Sequence, residues 1–296
     1  MIAVEACPLC STPLTGVSFE LGGLRLNRCD VCHVVHALEH ADPAAVYVEG
    51  YHSGAHGFHL DADREPFASY VRQVDARRIA HVRRQVPAPA RWLDVGCGRG
   101  RLLAAASGYQ AVGLEPVDET AAAARATGLD VRTGVLEEAP EPGTWDVVTA
   151  FHVLEHVPDV DDALGALRLL LKPGGRLVVE VPNWRSLCRR EAGDRWSLLS
   201  PGEHITFFHR SALRFALEST GFTQVRVAAP SWVAEPQTMS QALVDLGLRS
   251  RVGLFGPLHR EGSVTANGWR VLKALDRLES RAGVGMTLLA TGTRAA

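Results

Sequence analysis

Apolar and polar positions along the middle of the chain follow two patterns that alternate. Short apolar runs typical of buried strands alternate with segments whose apolar residues recur every three or four positions, as on one helix face. The strand-like runs cover residues 91–95, 111–115, 131–133, 146–151, 176–181 and 224–228. Strands that alternate with crossover helices are typical of parallel sheets covered on both faces. The pattern predicts an α/β fold with a doubly wound, mostly parallel sheet.

The same pattern divides the chain into three predicted parts. Residues 1–40 contain short β-like stretches and most of the cysteines, which indicates a small, separately stabilised unit. Residues 41–90 hold a loop rich in Tyr, His and Gly, followed by an amphipathic helix that Pro87 and Pro89 end. Residues 91–296 form the predicted core, with a mostly helical insertion near residues 230–281.

Composition and charge are those of an ordinary soluble protein. The 296 residues include 31 Lys+Arg and 33 Asp+Glu, and the net charge of -2 gives no bulk attraction to nucleic acid or an acidic membrane. No apolar run approaches the roughly 18 residues of a membrane span, and Glu5 stands where a secretory signal would carry positive charge. We therefore expect a cytoplasmic protein with no membrane partner.

The cysteines near the start of the sequence form two C-x2-C pairs. They are Cys7, Cys10, Cys29 and Cys32, with 18 residues between the pairs. This spacing is typical of a structural zinc site, in which each pair places two thiolates on one tetrahedral metal ion. Two disulfides are the weaker alternative in a reducing cytoplasm. His33 directly follows the last cysteine and is either a substitute ligand or a neighbour of the ligands.

A glycine-rich turn follows the first strand of the predicted core. The sequence LDVGCGRG ends that strand and opens a helix, and Glu115 closes the next strand. Glycines allow a tight turn and a close approach of the backbone to a ligand, and the acid can accept both hydroxyls of a ribose. A tight turn without a ligand and a dinucleotide site are the alternatives. The sequence has no P-loop lysine here, which disfavours phosphoryl transfer.

The segments LDVGCGRG, GLEP, FHVLEHVPD and LKPGGRLVVEVPN together resemble the ordered motifs of class I S-adenosylmethionine-dependent methyltransferases, over roughly residues 66–230. The resemblance implies a Rossmann-like fold, namely a seven-stranded sheet with a reversed last hairpin and the cofactor across the strand ends. The N-terminal cysteine unit joined to such a core further resembles bacterial methyltransferases of natural-product and deoxysugar pathways, including the sugar C-methyltransferases.

The resemblance implies a set of cofactor-binding residues. They are Tyr51, Asp94, Gly96, Cys97, Gly98, Gly100, Glu115, Pro116, Leu136, Phe151 and His152. The glycines would shape the cradle for the methionine part, and Glu115 would hold the ribose. Pro116 and Leu136 would contact the two faces of the adenine, while Phe151 and His152 would face the sulfonium. The tyrosine lies in the early loop, which would close over the cofactor, and packing alone would explain the cysteine.

Methyl transfer to a hydroxyl or carbon acid also needs a base, and histidine suits that role near neutral pH. In PGEHITFF, Glu203 and His204 resemble the E-H-x-x-x-F segment that carries catalytic acid/base residues in the sugar C-methyltransferases. We therefore expect His204 as the base with Glu203 as its orienting partner. His156, which would share one face with His152 and Glu155 if this segment were helical, is the second candidate base.

Structural alternatives exist for the same residues. A hydrogen bond in the protein interior would explain His156, and capping of a helix would explain Glu203 and His204. Some quinone-pathway O-methyltransferases bind a divalent ion with an E-x-x-E-H segment, but His152 replaces the first acid here, which disfavours a metal.

The favoured function is methyl transfer from S-adenosylmethionine to an oxygen or carbon of a small-molecule acceptor in secondary metabolism. One alternative is an RNA-modifying or nucleic-acid-binding protein that uses the zinc unit as a reader. The weak positive charge of that unit argues against a nucleic-acid partner. A catalytically silent S-adenosylmethionine-binding protein is another alternative. The acceptor is not specified by the sequence, and a homodimer stays an open assignment.

Overall fold

The computed structural model of the chain describes residues 2–48, 67–196, 198–230, 259–260, 263–264, 278 and 281–296. Tyr51 and most of the insertion predicted near residues 230–281 lie outside the described residues. The described elements of the N-terminal part are β1 (Ile2–Ala3), β2 (Ser18–Leu21), β3 (Leu24–Arg28), β4 (Val35–Ala37), β5 (Glu39–His40) and α1 (Pro43–Val46).

The remaining part contains the long strands and helices. Its described elements are α2 (Phe67–Gln85), β6 (Arg91–Val95), α3 (Arg101–Ala105), β7 (Gln110–Glu115), α4 (Asp118–Ala126), β8 (Val131–Thr133), β9 (Trp145–Phe151), α5 (Val160–Leu170), β10 (Leu171–Pro182), α6 (Leu187–Ala192), β11 (Thr206–Phe207), α7 (Arg210–Ser219), β12 (Phe222–Ala228), β13 (His259–Arg260), β14 (Ser263–Val264) and β15 (Thr287–Arg294). Strands β13 and β14 pair antiparallel, so these residues of the insertion are extended and differ from the predicted helical pattern.

The predicted central sheet is confirmed. Its seven strands lie in the order β12-β15-β10-β9-β6-β7-β8. Strands β6 to β10 pair in parallel with one another, whereas β15 runs antiparallel to both β10 and β12. This is the Rossmann-like methyltransferase architecture with a reversed last hairpin. The carboxyl ends of the parallel strands therefore meet at one edge of the sheet, where ligands bind in folds of this class.

Both faces of the sheet are buried. Consecutive strand residues point to opposite faces, so Trp92 and Val147 pack with residues of α2 and α3 on one face. Leu93 and Val148 pack with the leucines of α5 and α7 on the other face. Burial on both faces explains why the central strands are continuous apolar runs and do not alternate with polar residues.

Polar side chains cap the N-terminal ends of α5 and α7, the two helices on the second face of the sheet. Asp159 caps α5, because its carboxylate accepts a hydrogen bond from the backbone N–H of Asp162 at 3.0 Å. His209 caps α7 through Nδ1, which accepts from the backbone N–H of Ala212 at 3.3 Å. Each cap satisfies a backbone donor that the helix itself leaves without a partner.

The N-terminal unit shares a sheet with the core and is less separate than predicted. Its four-stranded sheet has the order β11-β4-β3-β2, and β11 belongs to the core. The backbone carbonyl of Pro8 also accepts hydrogen bonds from the N–H groups of Val160 and Asp161, at the start of α5. The N-terminal unit therefore contacts both the start of α5 and strand β11.

Among the helices that the structure describes, none combines the length and apolar character that crossing a bilayer requires.

Candidate functional site

The glycine-rich turn joins β6 to α3 at the carboxyl edge of the sheet. Gly96, Gly98 and Gly100 have φ angles of 69°, 54° and 74°, a region that residues with a side chain rarely adopt. The N–H groups of Gly96 and Cys97 donate to the carbonyl of Leu114 at 2.8 and 3.1 Å. These bonds fold the turn back onto the end of β7. The local sequence therefore produces the narrow, left-handed turn that the motif predicts.

Glu115 lies at the end of β7, directly against that turn. Its side chain is buried. One carboxylate oxygen accepts a hydrogen bond from the N–H of Gly98 at 2.9 Å, and the other accepts from the N–H of Val117 at 3.1 Å. The carboxylate is thus held in one orientation by backbone donors from two loops, as a residue that recognises ribose hydroxyls requires.

Asp94 occupies the last but one position of β6, next to the turn. Its carboxylate is buried and accepts a hydrogen bond from the Thr149 hydroxyl at 2.5 Å. Burial raises the pKa of Asp94 to about 7, and the bond from Thr149 only partly opposes that rise. The group can therefore be protonated or ionised near neutral pH, depending on what charge lies beside it.

Cys97 packs inside the turn. A Cβ atom on Gly113 would lie 2.4 Å from the Cys97 Sγ, so the thiol fills the space above that glycine. Burial raises the pKa of the thiol well above its ordinary value, which keeps it uncharged. These contacts support the packing explanation for Cys97 that the sequence left open.

The residues assigned to the adenine come together next to Glu115. Pro116 follows it directly and is half-buried. The N–H of Gly134 donates to the backbone carbonyl of Glu115 at 3.1 Å, which brings the loop after β8 to the end of β7. Leu136 begins the short 3-10 turn Leu136–Glu138 in that loop and is half-buried. The structure thus places both residues at one strand end, although they are 20 positions apart in the chain.

Phe151 and His152 end β9 at the same edge of the sheet. Phe151 is buried, and the guanidinium of Arg78 lies 4.9 Å from the centre of its ring. His152 contacts Glu155 Oε1 through Nδ1 at 2.9 Å and Glu180 Oε1 through Nε2 at 3.2 Å. Burial by itself would lower the pKa of His152, but these two carboxylates raise it to about 9. At neutral pH the ring is a cation that donates from both nitrogens.

The candidate acid/base residues lie in the loop after β9 and the loop before β11. The rings of His156 and His204 are in contact edge to face, with centres 4.5 Å apart. Burial lowers the pKa of His156 to about 4 and also lowers that of His204. Both rings are therefore neutral at pH 7, in contrast to His152.

The orienting partner of His204 differs from the one expected. Its Nδ1 contacts the backbone carbonyl of Leu198 at 2.7 Å, so Nδ1 is the donor and Nε2 is left as the acceptor. The carboxylate of Glu203 instead accepts a hydrogen bond from the Ser200 hydroxyl at 3.0 Å. A carbonyl therefore sets the tautomer of His204.

Glu155 completes this group and is fully buried. Ligand atoms of Glu155, His156 and His204 all lie within 4.8 Å of one another, a separation that would allow them to hold one metal ion. Among the described residues, Glu155 Oε2 and His156 Nδ1 have no hydrogen-bond partner. Glu155 and His156 precede His204 by 49 and 48 positions in the sequence. The fold unites them.

The four N-terminal cysteines form one cluster. Their Sγ atoms all lie within 4.8 Å of one another, and the closest pairs are Cys7–Cys32 at 3.5 Å and Cys10–Cys29 at 3.6 Å. A tetrahedral zinc ion about 2.3 Å from each sulfur would separate the sulfurs by about 3.8 Å. The cluster fits zinc, and none of these cysteines forms a disulfide. His33 is exposed and is not part of the cluster.

Sequence reasoning missed two buried residues near these sites. Glu180 in β10 is fully buried and binds Arg78 Nη2 at 2.7 Å. Burial would raise its pKa, but the guanidinium lowers it to about 2. His36 in β4 is also fully buried and contacts Cys7. A polar residue inside an apolar strand pattern, as in VVEV and VVHA, was the signal in both cases.

The core of the chain is similar to known proteins. Residues 67–227 match the family model described as "Methyltransferase domain". The ubiquinone biosynthesis O-methyltransferase of Bradyrhizobium sp. (strain ORS 278) is 33% identical over 150 residues, covering 46% of this chain and 59% of that protein. The protein of the same description from Xanthomonas campestris pv. campestris (strain B100) is 38% identical over 117 residues, covering 36% of this chain and 49% of that protein. The chain thus spans less than two thirds of the length of these relatives.

Solved structures show the same fold at low identity. A putative sarcosine dimethylglycine methyltransferase from Galdieria sulphuraria aligns with a TM-score of 0.51 and 18% identity, covering 83% of this chain and 95% of that chain. A SAM-dependent methyltransferase from Archaeoglobus fulgidus aligns with a TM-score of 0.50 and 21% identity, covering 74% of this chain and 94% of that chain.

Proposed function

The chain belongs to the methyltransferase domain family, and we propose that it transfers a methyl group from S-adenosylmethionine to an oxygen or carbon of a small-molecule acceptor. The observation that carries this proposal is the glycine turn with Glu115 held against it. The turn brings backbone close to a ligand at the carboxyl edge of the sheet, and the buried carboxylate stands ready to accept ribose hydroxyls.

We assign the methionine side of the cofactor to the turn from Gly96 to Gly100. The adenine side is assigned to Pro116 and Leu136, which the fold brings to the same strand end. When bound, the cofactor supplies the electrophilic methyl group. The protein's own contribution is to hold the acceptor in line with that group and to remove a proton where the acceptor carries one.

The proton acceptor in this proposal is the histidine pair of His156 and His204. Both rings are neutral at pH 7 because burial lowers their pKa values, and His204 presents Nε2 as an acceptor. Glu155 lies within reach of both and would stabilise the positive charge that the pair gains. Glu203 has a less direct role in this proton transfer, because its carboxylate accepts a hydrogen bond from Ser200.

Oxygen is the favoured acceptor atom. The relatives reported above are described as ubiquinone biosynthesis O-methyltransferases. Carbon is the second choice and is supported by the resemblance of the segment around Glu203 and His204 to the sugar C-methyltransferases. The N-terminal cysteine unit joined to such a core resembles bacterial methyltransferases of natural-product and deoxysugar pathways, and this resemblance favours an acceptor of secondary metabolism. We assign a structural zinc ion to its four thiols, whose separations suit that metal.

The test is calorimetric titration of the intact protein with S-adenosylmethionine and with S-adenosylhomocysteine. Both should bind, and Glu115→Ala should weaken binding by about 1–3 kcal/mol because charge-assisted hydrogen bonds to the ribose are lost. Glu218→Ala, on the exposed surface of α7, serves as the control and should bind as the wild type does. Absence of binding in the wild-type protein would overturn the proposal.

A further inference from the structure

The cysteine unit is bonded to the core through both of its C-x2-C loops. Pro8, between the first two cysteines, accepts hydrogen bonds from the start of α5. The carbonyl of His33, which follows the last cysteine, accepts from Nε2 of His209 at 3.0 Å. Strand β4 follows directly and pairs with β11 of the core. A unit that served only to stabilise itself would not need contacts of this kind.

His36 lies at the centre of the β4–β11 pair. It stands opposite Thr206 in the ladder, and both side chains are buried. Nε2 of His36 lies 3.3 Å from the Sγ of Cys7, and Nδ1 lies 3.2 Å from the hydroxyl oxygen of Thr206. One imidazole therefore bridges a cysteine of the cluster and a residue of the core.

The chemistry of the bridge depends on the state of Cys7. A metal-bound cysteine is a thiolate, which can only accept hydrogen bonds. Nε2 of His36 must then carry the proton, and Nδ1 of the neutral ring must accept from the Thr206 hydroxyl. Metal binding thus fixes the direction of both hydrogen bonds.

Thr206 connects this bridge to the two loops that hold the histidine pair. The N–H groups of Ile205 and Thr206 both donate to the backbone carbonyl of Glu155, at 2.8 and 3.2 Å. His204 directly precedes them, and its ring contacts that of His156. The path from Cys7 through His36 and Thr206 therefore ends at the two loops that supply the proposed acid/base residues.

We propose that His36 is a positioning residue that couples the four-cysteine metal site to the acceptor side of the methyltransferase site through Thr206. Metal-ligating groups commonly depend on a partner of this kind that orients them. Here the partner works in both directions, because the residue that orients the Cys7 thiolate also anchors the strand after His204. Zinc loading and the geometry of the histidine pair are then linked.

The experiment uses the full-length, zinc-loaded protein and needs no acceptor. Two-dimensional 1H–15N spectra of histidine-labelled protein report which ring nitrogen of His36 carries the proton. Amide hydrogen exchange reports the bonds from Ile205 and Thr206 to Glu155. We expect the proton on Nε2 of His36 with zinc bound, and a change of the His36 and His204 ring signals when a chelator removes the metal.

The variants isolate the hydroxyl of Thr206. Thr206→Val should leave the zinc content unchanged and shift the His204 ring signals. It should also speed amide exchange at residues 205 and 206 by about tenfold, which is the effect of one lost hydrogen bond. Thr206→Ser should restore the wild-type values. The control is Thr12→Val, which removes a hydroxyl 3.3 Å from the Sγ of Cys10 that does not reach the core loop; its His204 signals should match the wild type.

Two results would overturn the coupling. One is a proton on Nδ1 of His36 in the zinc-loaded wild-type protein, a measurement that needs no variant to fold. The other is a Thr206→Val protein that keeps its zinc and shows wild-type exchange and His204 signals. The name "acceptor side" rests on the proposed function, but the coupling does not. A protein that failed to bind S-adenosylhomocysteine would lose the proposed function while the link between Cys7 and His204 could still be measured.

Discussion

Four buried carboxylates at the carboxyl edge of the sheet show that the pKa of a buried acid depends on the group that binds it. Asp94, Glu115, Glu155 and Glu180 are each at most 3% exposed. A hydroxyl binds the first, backbone N–H groups bind the second, a histidine binds the third and an arginine binds the fourth. Because a hydroxyl compensates for burial much less than a guanidinium does, the pKa of Asp94 rises while that of Glu180 falls.

The raised pKa of Asp94 predicts a loss of stability with rising pH. Between the ordinary aspartate value of about 4 and a pKa of about 7, the folded protein holds a proton that the unfolded chain releases. The contribution of Asp94 to stability is therefore present at pH 4 and lost as pH rises through 7. Urea denaturation should show that Asp94→Asn lacks this loss, so its free energy of unfolding should gain about 2–4 kcal/mol relative to wild type between pH 4 and pH 8.

Asp118→Asn is the control for that measurement. Asp118 is exposed, and hydrogen bonds from Thr133 and Arg125 lower its pKa, so any effect of its removal should be smaller and of opposite sign. Equal pH profiles for the wild type and Asp94→Asn would contradict the prediction.

Glu180→Gln should be strongly destabilising. The substitution keeps the shape of the side chain, but it removes the closest buried counter-charge of the Arg78 guanidinium and one of the two carboxylates that bind His152. Breaking a buried ion pair from one side costs about 3–5 kcal/mol. Chemical denaturation at pH 7 measures the loss. The matched change Glu218→Gln breaks an exposed pair with Arg214 on α7 and should cost at most about 1 kcal/mol. Similar losses for the two variants would show that burial of the Glu180 pair carries little energy.

At the scale of elements, the turns determine where the strand ends lie, and the site is built at those ends. The segment before β15 must pass directly beneath the end of β12. A Cβ atom on Gly285 would lie 2.0 Å from the backbone oxygen of Ala229, and Nδ2 of Asn183 donates to the carbonyl of Gly285 at 2.7 Å. The reversed hairpin therefore depends on a glycine whose neighbours are backbone atoms that cannot move aside.

The same substitution should have opposite effects at two glycines. Gly285→Ala should destabilise the protein by more than about 2 kcal/mol, because the new methyl group collides with backbone. Gly165→Ala, in the middle of α5 with nothing within 4 Å of the added Cβ, should stabilise it by about 0.5–1 kcal/mol through helix propensity. Thermal unfolding of both variants tests the pair. A stable Gly285→Ala protein would show that β12 and β15 can separate without cost.

At the scale of the whole molecule, the N-terminal unit and the core form one structure. Strand β11 completes the sheet of the unit, and the cysteine loops bond to α5 and to His209. We therefore expect that a change at the cysteine cluster affects the core and that the unit does not unfold as an independent domain.

Elemental analysis should find about one zinc ion per chain. Cys29→Ser should lose the metal, and amide exchange should then speed up in residues 2–40 and in β11, because metal binding energy is folding energy in such a unit. Cys97→Ser provides the control, since this cysteine packs in the core turn and lies outside the cluster; it should keep its zinc. A metal-free chain with a fully protected N-terminal unit would contradict the prediction.

Features that depend on neighbouring residues were predictable from the sequence. The alternation of strands and helices, the cap at Asp159 and the left-handed glycine turn are local, and periodicity or spacing reveals them. The resemblance to class I methyltransferases added the reversed hairpin, which the pairing of β15 confirms. The roles assigned to the individual cofactor residues stay predictions, to be decided by the binding experiments.

Contacts between distant segments were decided by the tertiary structure alone. His36 and Thr206 are 170 positions apart, and Arg78 and Glu180 are 102 positions apart. No local period encodes such a pair, because it arises only when the sheet order and the path of each loop are set. For the same reason the sequence could propose Glu203 as the partner of His204, whereas packing gave that ring the carbonyl of Leu198. Sequence thus determined which elements form, and burial in the folded protein determined which polar groups meet.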